Sequence, residues 1–496
     1  MSFYLAIDQG TTGTTAVLID ANTFSFVDKV NEEFRQIYPK PGWVEHNLNE
    51  IWQSVESTIE KVLKKANVSG EQILGIGITN QRETTCAFSR DGLPLANAIV
   101  WQDRRTSKYC KKLKDSGQEA TVKKISGLPI DPYFSATKMR WLLENNEQVI
   151  DSQKTEQLLF GTIDSFLLYK LTNHQHHKTE SSNASRTLLM NLETCDWEND
   201  LLSIFNIDKK TLPEICDSFS NFGETKGLSF LPDGVPISGV LGDQQAALFG
   251  QAGTTKGDLK CTYGTGAFML LNTGPKIVHS DSGLLTTVAY SHKGQAVYAL
   301  EGSCYIAGAA VQWLRDNLNL IKSSAEVETL ASQVKNLDEM ENLLFLPFFT
   351  GLGSPYWVAD AQAAILGITR DTQNSHIARS CLDGIALSIN DLIGAMNNDT
   401  KLELKSLKVD GGAVANDLLL TIQASVSQLE IIRPRIIETT AYGAGLAAAL
   451  GQGKITLDQM QELWKEDKVF RPEKNWRDFY QRKSKQWKSA IEKIFL

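Results

Sequence analysis

Phe3-Tyr4-Leu5-Ala6-Ile7 runs into Asp8-Gln9-Gly10-Thr11-Thr12-Gly13 and leaves it through Ala16-Val17-Leu18-Ile19. Two short apolar runs flank a turn of glycines and threonines, which reads as strand, tight turn, strand. Phe24 to Phe34 continues as a third strand. The theme returns far down the chain. Leu259-Lys260-Cys261-Thr262-Tyr263 leads to Gly264-Thr265-Gly266 and then to Ala267-Phe268-Met269-Leu270-Leu271. Identity between the two passages is slight, so the duplication lies at the level of fold. The reading is an α/β protein of two related halves. Gly250 and Gly253 break an Ala-rich segment, which puts the boundary between residues 1–249 and 250–496.

The length supports two halves. A chain of 496 residues exceeds one hydrophobic core, and domains of roughly 200–250 residues are expected. Hydrophobic residues make up 42% and charged residues 22%, as in folded soluble proteins. The net charge of −8 argues against nucleic acid as a partner, which needs a basic surface to displace counterions. An anionic small ligand remains compatible, because backbone N–H groups or one metal ion can hold it locally. The seven cysteines are widely spaced, without a Cys-x-x-Cys pair, so neither a disulfide framework nor a zinc site is expected. The first residues read as a core strand instead of a leader, and no apolar run reaches membrane-spanning length. Cytoplasmic residence without stable membrane insertion is the expectation.

Other segments place the polar clusters. Asn47 can cap a helix, with Glu50 three residues on as a capping-box variant, and Ile51, Val55, Ile59, Val62 and Ala66 make one apolar stripe. Ile73 to Ile78 reads as a buried strand. It ends at Thr79-Asn80-Gln81-Arg82-Glu83-Thr84-Thr85, the place where open α/β sheets hold ligands. Leu404 to Val409 is a strand ending at Asp410-Gly411-Gly412-Ala413, followed by a helix with Leu418, Leu419, Ile422 and Val426 on one side. Residues 441–450 suit a helix whose small side chains let another backbone come close. Lys474 to Lys493 reads as a solvated amphipathic helix.

These parts match phosphoryl transfer, which needs N–H groups around phosphates, a divalent metal with carboxylate partners, and an acceptor hydroxyl beside a base. Gly10-Thr11-Thr12-Gly13 and Gly264-Thr265-Gly266 offer close backbone approach and hydroxyl donors. Either turn alone also suits an ordinary hairpin; two of them, each opening its half, favour phosphate. There is no Gly-x-x-x-x-Gly-Lys-Ser/Thr loop and no Gly-x-Gly-x-x-Gly after a strand, so P-loop enzymes and dinucleotide dehydrogenases drop back. Asp8 at the end of the first strand and Asp243 after the apolar segment 235–241 are candidates for Mg2+, and one of them for the base. Each also suits a turn or a helix cap. Arg82, Glu83, Trp101 and Tyr133 could grip a polyol by charged hydrogen bonds and an aromatic wall. A structural Arg–Glu pair is the competing account.

The chain resembles the FGGY carbohydrate kinases, and within them the members that use glycerol. The resemblance rests on DQGTT at 8–12, YPKPGWVEH at 38–46, GITNQRETT at 77–85, VWQDRRT at 100–106, DPYFSATKMRWLLEN at 131–145, FGTIDSFLLYKLT at 160–172, NASRTLLMN at 183–191, GDQQAALFGQ at 242–251, TYGTGAFMLLNTG at 262–274, ALEGSCYIAGAAVQWLRD at 299–316, FTGLGSPYW at 349–357 and VDGGAVAND at 409–417. It implies two actin-like, ribonuclease-H-type domains with an interdomain cleft, and ATP-dependent phosphorylation of glycerol to sn-glycerol 3-phosphate in glycerol catabolism. Arg82, Glu83, Tyr133, Asp243 and Gln244 would hold glycerol, with Trp101 and Phe268 along its carbon face and Asp243 as base. Thr11, Thr12 and Gly13 would meet the phosphates of ATP or ADP from the first domain, and Thr265 and Gly308 from the second, with Gln312 nearby. Gly412 and Asn416 would sit at the adenosine. Asp8 and Asp243 would organise Mg2+. A homo-oligomer, dimer or tetramer, is also implied.

Two departures stand out. Thr15 occupies a place where bacterial members usually carry Arg, which predicts weaker handling of ATP. Residues 228–236 lack the Gly-Gly-Thr-Arg run and the His that serve two known controls in the family, so neither control is expected here. Another small polyol or a ketose as acceptor, a non-metabolic actin-like ATPase, and a catalytically weak relative are the alternatives.

Overall fold

The computed structural model describes residues 1–496. The strands of the first half are β1 (Phe3–Gln9), β2 (Gly13–Asp20), β3 (Phe26–Glu33), β4 (Ile73–Asn80), β5 (Gly223–Glu224) and β6 (Pro236–Gly242). Those of the second are β7 (Leu259–Tyr263), β8 (Ala267–Gly274), β9 (Leu285–His292), β10 (Gln295–Cys304), β11 (Ser406–Asp410), β12 (Glu430–Pro434) and β13 (Glu466–Phe470). Two sheets result, ordered β5-β6-β4-β1-β2-β3 and β9-β10-β8-β7-β11-β12-β13. Each has the same heart. An antiparallel meander, β1-β2-β3 or β7-β8-β10, continues into parallel strands, β4 and β6 or β11 and β12. The duplication read from the two Gly/Thr turns is therefore one of sheet topology.

Helix α1 (Leu48–Ala66) covers β2 and β3. Asn47 caps it, accepting from the N–H of Asn49 at 2.8 Å and of Glu50 at 3.3 Å. The stripe Ile51, Val55, Ile59 and Val62 is buried, as its three- and four-residue spacing requires. Glu50 does not complete a capping box. Its carboxylate accepts from Arg35 at 2.9 Å instead, because a cation from the preceding loop is the stronger partner.

A short helix α2 (Ser181–Ala184), then α3 (Asp243–Gly250), α4 (Gly308–Asp316), α5 (Asn374–Thr400), α6 (Asp417–Ser427), α7 (Thr439–Gly451) and α8 (Arg477–Phe495) complete the frame. Helix α7 belongs to the second half by sequence but packs on β1, β4, β6 and α3 of the first. A shared core joins Tyr4, Ala6, Val17 and Ile19 with Leu270, Ala299, Ala444 and Leu446. The halves thus meet through a common apolar layer. Helix α8 is amphipathic: Phe479, Tyr480, Trp487 and Ile491 are buried, and its opposite face is wet. All seven cysteines are unpaired, and no helix is long and apolar enough to cross a membrane.

Candidate active site

The end of β4 delivers Arg82 and Glu83 inside the protein. Glu83 takes a left-handed backbone conformation with φ 59°, uncommon for a side chain of that size and a mark of functional constraint. Both residues are buried, and neither charge is alone. Arg82 Nη2 donates to Glu301 Oε1 at 3.1 Å and Nη1 to Gln245 Oε1 at 3.3 Å; a second, short contact joins Nη1 to Glu301 Oε2. Arg186 Nε donates to Glu83 Oε1 at 2.6 Å, and its Nη2 to Glu301 Oε1 at 2.9 Å. Burial pushes the Glu301 carboxyl up, but Arg186 and Arg82 outweigh it and hold it below its usual range. For Glu83 burial wins, and its carboxyl lies above its usual value despite the same two cations.

Asp243 opens α3, with its carboxylate 29% exposed and Oδ1 at 2.9 Å from Arg82 Nε. That N–H is not aimed at the oxygen, so Arg82 Nε has no hydrogen bond, and neither does Arg186 Nη1. Buried guanidinium donors without partners are rare unless water or a ligand supplies the acceptor. Gln244, next to Asp243, is turned to Lys260, whose Nζ donates to its Oε1 at 2.6 Å and to Thr262 Oγ1 at 2.9 Å. Burial depresses the Lys260 ammonium, only partly offset by Asp410.

The aromatic residues form one wall. The ring of Trp101 meets Tyr133 edge-on at 5.7 Å and Phe268, from β8 of the second sheet, at 6.2 Å. The Arg186 guanidinium lies 5.6 Å from the centre of the Tyr133 ring. Trp101 Nε1 donates to Thr11 Oγ1 at 3.0 Å, which ties this wall to the first Gly/Thr turn.

The turns themselves are built by close backbone approach. Gly10 N–H donates to Gly13 O at 2.9 Å, and a Cβ on Gly13 would stand 2.5 Å from Glu32 O. Thr12 at the tip is exposed. In the second turn Thr265 is exposed, while its carbonyl accepts from Ala307 at 2.8 Å and Ala309 at 3.1 Å. Gly308 N–H donates to Gly264 O at 3.0 Å. That amide is already committed, so Gly308 acts here by lacking a side chain. Gln312 is exposed on α4, and Gly412 is open to solvent. Asn416 caps α6, accepting from Leu419 N–H at 2.8 Å, which leaves its amide nitrogen free.

Asp8, half-buried beside the first turn, is raised to about 8 by burial and by the neighbouring Asp243 and Glu438. A carboxyl raised by neighbouring carboxylates suits a cation beside it. No group of three acid, His or Cys side chains is close enough to cage a metal. Two carboxylates acting through water and phosphate are the arrangement that Mg2+ uses.

The structure thus brings Arg82, Glu83, Tyr133, Trp101, Phe268 and Asp243 together. Arg186 and Glu301 were not singled out from the sequence, although both lie inside quoted segments, NASRTLLMN and ALEGSCYIAGAAVQWLRD. Nothing local marked them, since their partners stand more than a hundred residues away.

The model of the FGGY family of carbohydrate kinases matches residues 3–250 with its N-terminal domain and 259–451 with its C-terminal domain. A glycerol kinase of Bdellovibrio bacteriovorus is 48% identical over 496 residues, covering 99% of each chain. One of Myxococcus xanthus is 46% identical, again over 99% of each chain. The crystal structure of Plasmodium falciparum glycerol kinase with ADP superposes with a TM-score of 0.92 at 35% identity, covering 100% of this chain and 99% of that one. A gluconate kinase from Lactobacillus acidophilus, 21% identical with a TM-score of 0.89, shares the fold. By its two sheets and these matches, the chain belongs to the FGGY family of carbohydrate kinases.

Proposed function

We propose that the chain transfers the γ-phosphoryl group of ATP to a terminal hydroxyl of glycerol, forming sn-glycerol 3-phosphate. The observation that carries this reading is the convergence of buried Arg82 and Glu83 on a partly exposed carboxylate, Asp243, whose Oδ1 lies 2.9 Å from Arg82 Nε, beside an aromatic wall. Hydroxyl groups of a small polyol would hydrogen-bond to these charged side chains. Trp101, Tyr133 and Phe268 would shelter its carbon chain. Gln244 would contribute through its amide nitrogen, since its oxygen is held by Lys260.

In this mechanism Asp243 receives the proton of the attacking hydroxyl, and Arg82 orients that carboxylate. Thr11, Thr12 and Gly13 meet the phosphates from one side, Thr265 and the Gly308 approach from the other, with Gln312, Gly412 and Asn416 along the nucleoside. Asp8 and Asp243 fit Mg2+, which supplies charge neutralisation at the phosphates when bound. The two halves, with α7 carried on the first sheet, then close on the substrates, expel water and align them, and alignment is worth several kcal/mol of barrier. The full-length likeness to glycerol kinases supports glycerol over a ketose; a cytoplasmic homo-oligomer is the working form that the family resemblance implies.

A coupled ADP assay with and without glycerol tests the reading. Glycerol-dependent ADP release is expected in the native chain. Asp243→Asn is expected to lose at least about 100-fold in kcat while still binding ATP. A near-normal kcat in that variant would remove Asp243 from the role of base.

A further inference from the structure

Glu180, just ahead of the four-residue helix α2, is fully buried and has no cation beside it among its hydrogen-bond partners. Five hydrogen bonds converge on its carboxylate. Oε1 accepts from Ser182 Oγ at 2.5 Å, Asn183 N at 2.6 Å and Asn183 Nδ2 at 3.1 Å. Oε2 accepts from Ser182 N at 2.6 Å and Ser218 Oγ at 2.8 Å. A helix cap uses one or two such bonds. The other three hold the side chains of Ser182, Asn183 and Ser218, and the first two lead to the active site.

Ser182 Oγ gives its hydrogen to Glu180, so its lone pairs are free, and it accepts from Gly242 N–H at 3.0 Å. Gly242 is the residue before Asp243. It also lies against Arg82, because a Cβ there would stand 2.7 Å from Arg82 Cδ. Asn183 exchanges two hydrogen bonds with Asn80, at 3.0 and 3.1 Å, and Asn80 ends the strand that delivers Arg82 and Glu83. Arg186, which holds Glu83 and Glu301, follows directly on the same turn. One carboxylate thereby joins the segments that carry the base, the substrate cation and the substrate anion.

We propose that Glu180 is a positioning residue for phosphoryl transfer: through Ser182 it fixes the approach of Asp243, and through Asn183 that of Arg82 and Glu83. The proposal rests on the glycerol kinase reading of the same site and deepens it. Direction of donation is what makes the arrangement specific. The Ser182 hydrogen lies toward Glu180, which leaves lone pairs on Oγ for the Gly242 N–H, and an amide at residue 180 would set an NH2 group among five donors.

The test compares Glu180→Gln, Glu180→Asp, Ser182→Ala and the double variant Glu180→Gln/Ser182→Ala in the full chain. Ser182→Ala and Glu180→Gln are expected to lower kcat per folded molecule about tenfold or more, with the ATP KM changed less than about twofold. The double variant should fall no further than the worse single one, because both act along one connection. Glu180→Asp should recover part of the loss. Unchanged kcat in folded Ser182→Ala overturns the proposal, as does a double variant whose losses multiply. If Glu180→Gln does not fold, Ser182→Ala alone decides. Amide hydrogen exchange separates this idea from the choice of substrate. In Ser182→Ala exchange at Gly242 should quicken while α6 stays unchanged, whether or not glycerol is the acceptor; equal exchange at Gly242 counts against the connection.

Discussion

Arg82, at the end of a first-sheet strand, and Glu301, within β10 of the second sheet, form a buried ion pair across the two halves of the chain, with Arg82 Nη2 donating to Glu301 Oε1 at 3.1 Å. Their side chains are 2% and 0% exposed. Glu301 also holds Arg186, so one carboxylate answers two guanidiniums. Removing one member of such a group leaves uncompensated buried charge, which costs about 3–5 kcal/mol. Glu301→Gln keeps an acceptor oxygen but loses the charge. Urea denaturation should show a loss near the lower end of that range, and kcat/KM for glycerol should fall with it. A variant with native stability and native kinetics would show that the pair contributes neither.

Residue 15 faces Asp8 across the β1–β2 ladder, in a neighbourhood made acidic by Asp8, Asp243 and Glu438. Thr15 now does no more than accept from Asn31 Nδ2 at 2.8 Å. Thr15→Arg would add the cation that relatives usually carry, beside both carboxylates and the phosphate turn. The expected result is a lower KM for ATP, a higher kcat, or both. Steady-state kinetics with neither constant moved would refute the idea that Thr15 weakens ATP handling.

Helices α3 and α7 cross with their backbones in contact. A Cβ on Gly443 would stand 2.0 Å from Ala246 O, and one on Gly250 would stand 2.1 Å from Thr439 O. Alanine in a helix gains about 1 kcal/mol over glycine, but forcing a methyl against backbone costs about 1–3 kcal/mol or more. The clash wins here because no flexible side chain can yield. Gly443→Ala should therefore unfold at lower denaturant concentration, whereas Gly394→Ala on α5, with nothing near its missing Cβ, should be neutral or stabilising. Equal midpoints for the two variants would contradict the packing described.

Asp164 is fully buried and accepts from Thr162 Oγ1 at 2.5 Å and Thr179 Oγ1 at 2.6 Å. Burial, partly offset by these bonds, raises its carboxyl from 3.8 to about 6. A folded value above the unfolded one means that the native state holds the extra proton between these limits. Its contribution to stability is complete below about 4 and is lost as pH rises through about 6. About two pH units at about 1.4 kcal/mol each make roughly 3 kcal/mol. Asp164→Asn lacks this component, so the native chain should gain on it as pH falls from 6 to 4. Parallel stability curves for the two proteins over that window would disprove the assignment.

Much of this was legible in local pattern. Strand, Gly/Thr turn, strand announced both sheets, and the apolar spacing from Ile51 to Val62 announced α1, because period and turn chemistry are properties of neighbouring residues. Arg82, Glu83, Trp101, Tyr133 and Asp243 stood out as polar or aromatic groups at strand ends. Glu50 was misread because its carboxylate's partner, Arg35, came from elsewhere in the chain.

By itself the amino-acid sequence determined the alternation of strands and helices, the two Gly/Thr turns and the polar clusters at strand ends, since these depend on contacts within a few residues. Only the tertiary structure decided that Glu301 belongs with Arg82, that Arg186 holds Glu83, and that α7 crosses back to the first sheet. Long-range pairing of buried charge is set by where whole elements pack, and no local spacing encodes which distant carboxylate will neutralise which guanidinium.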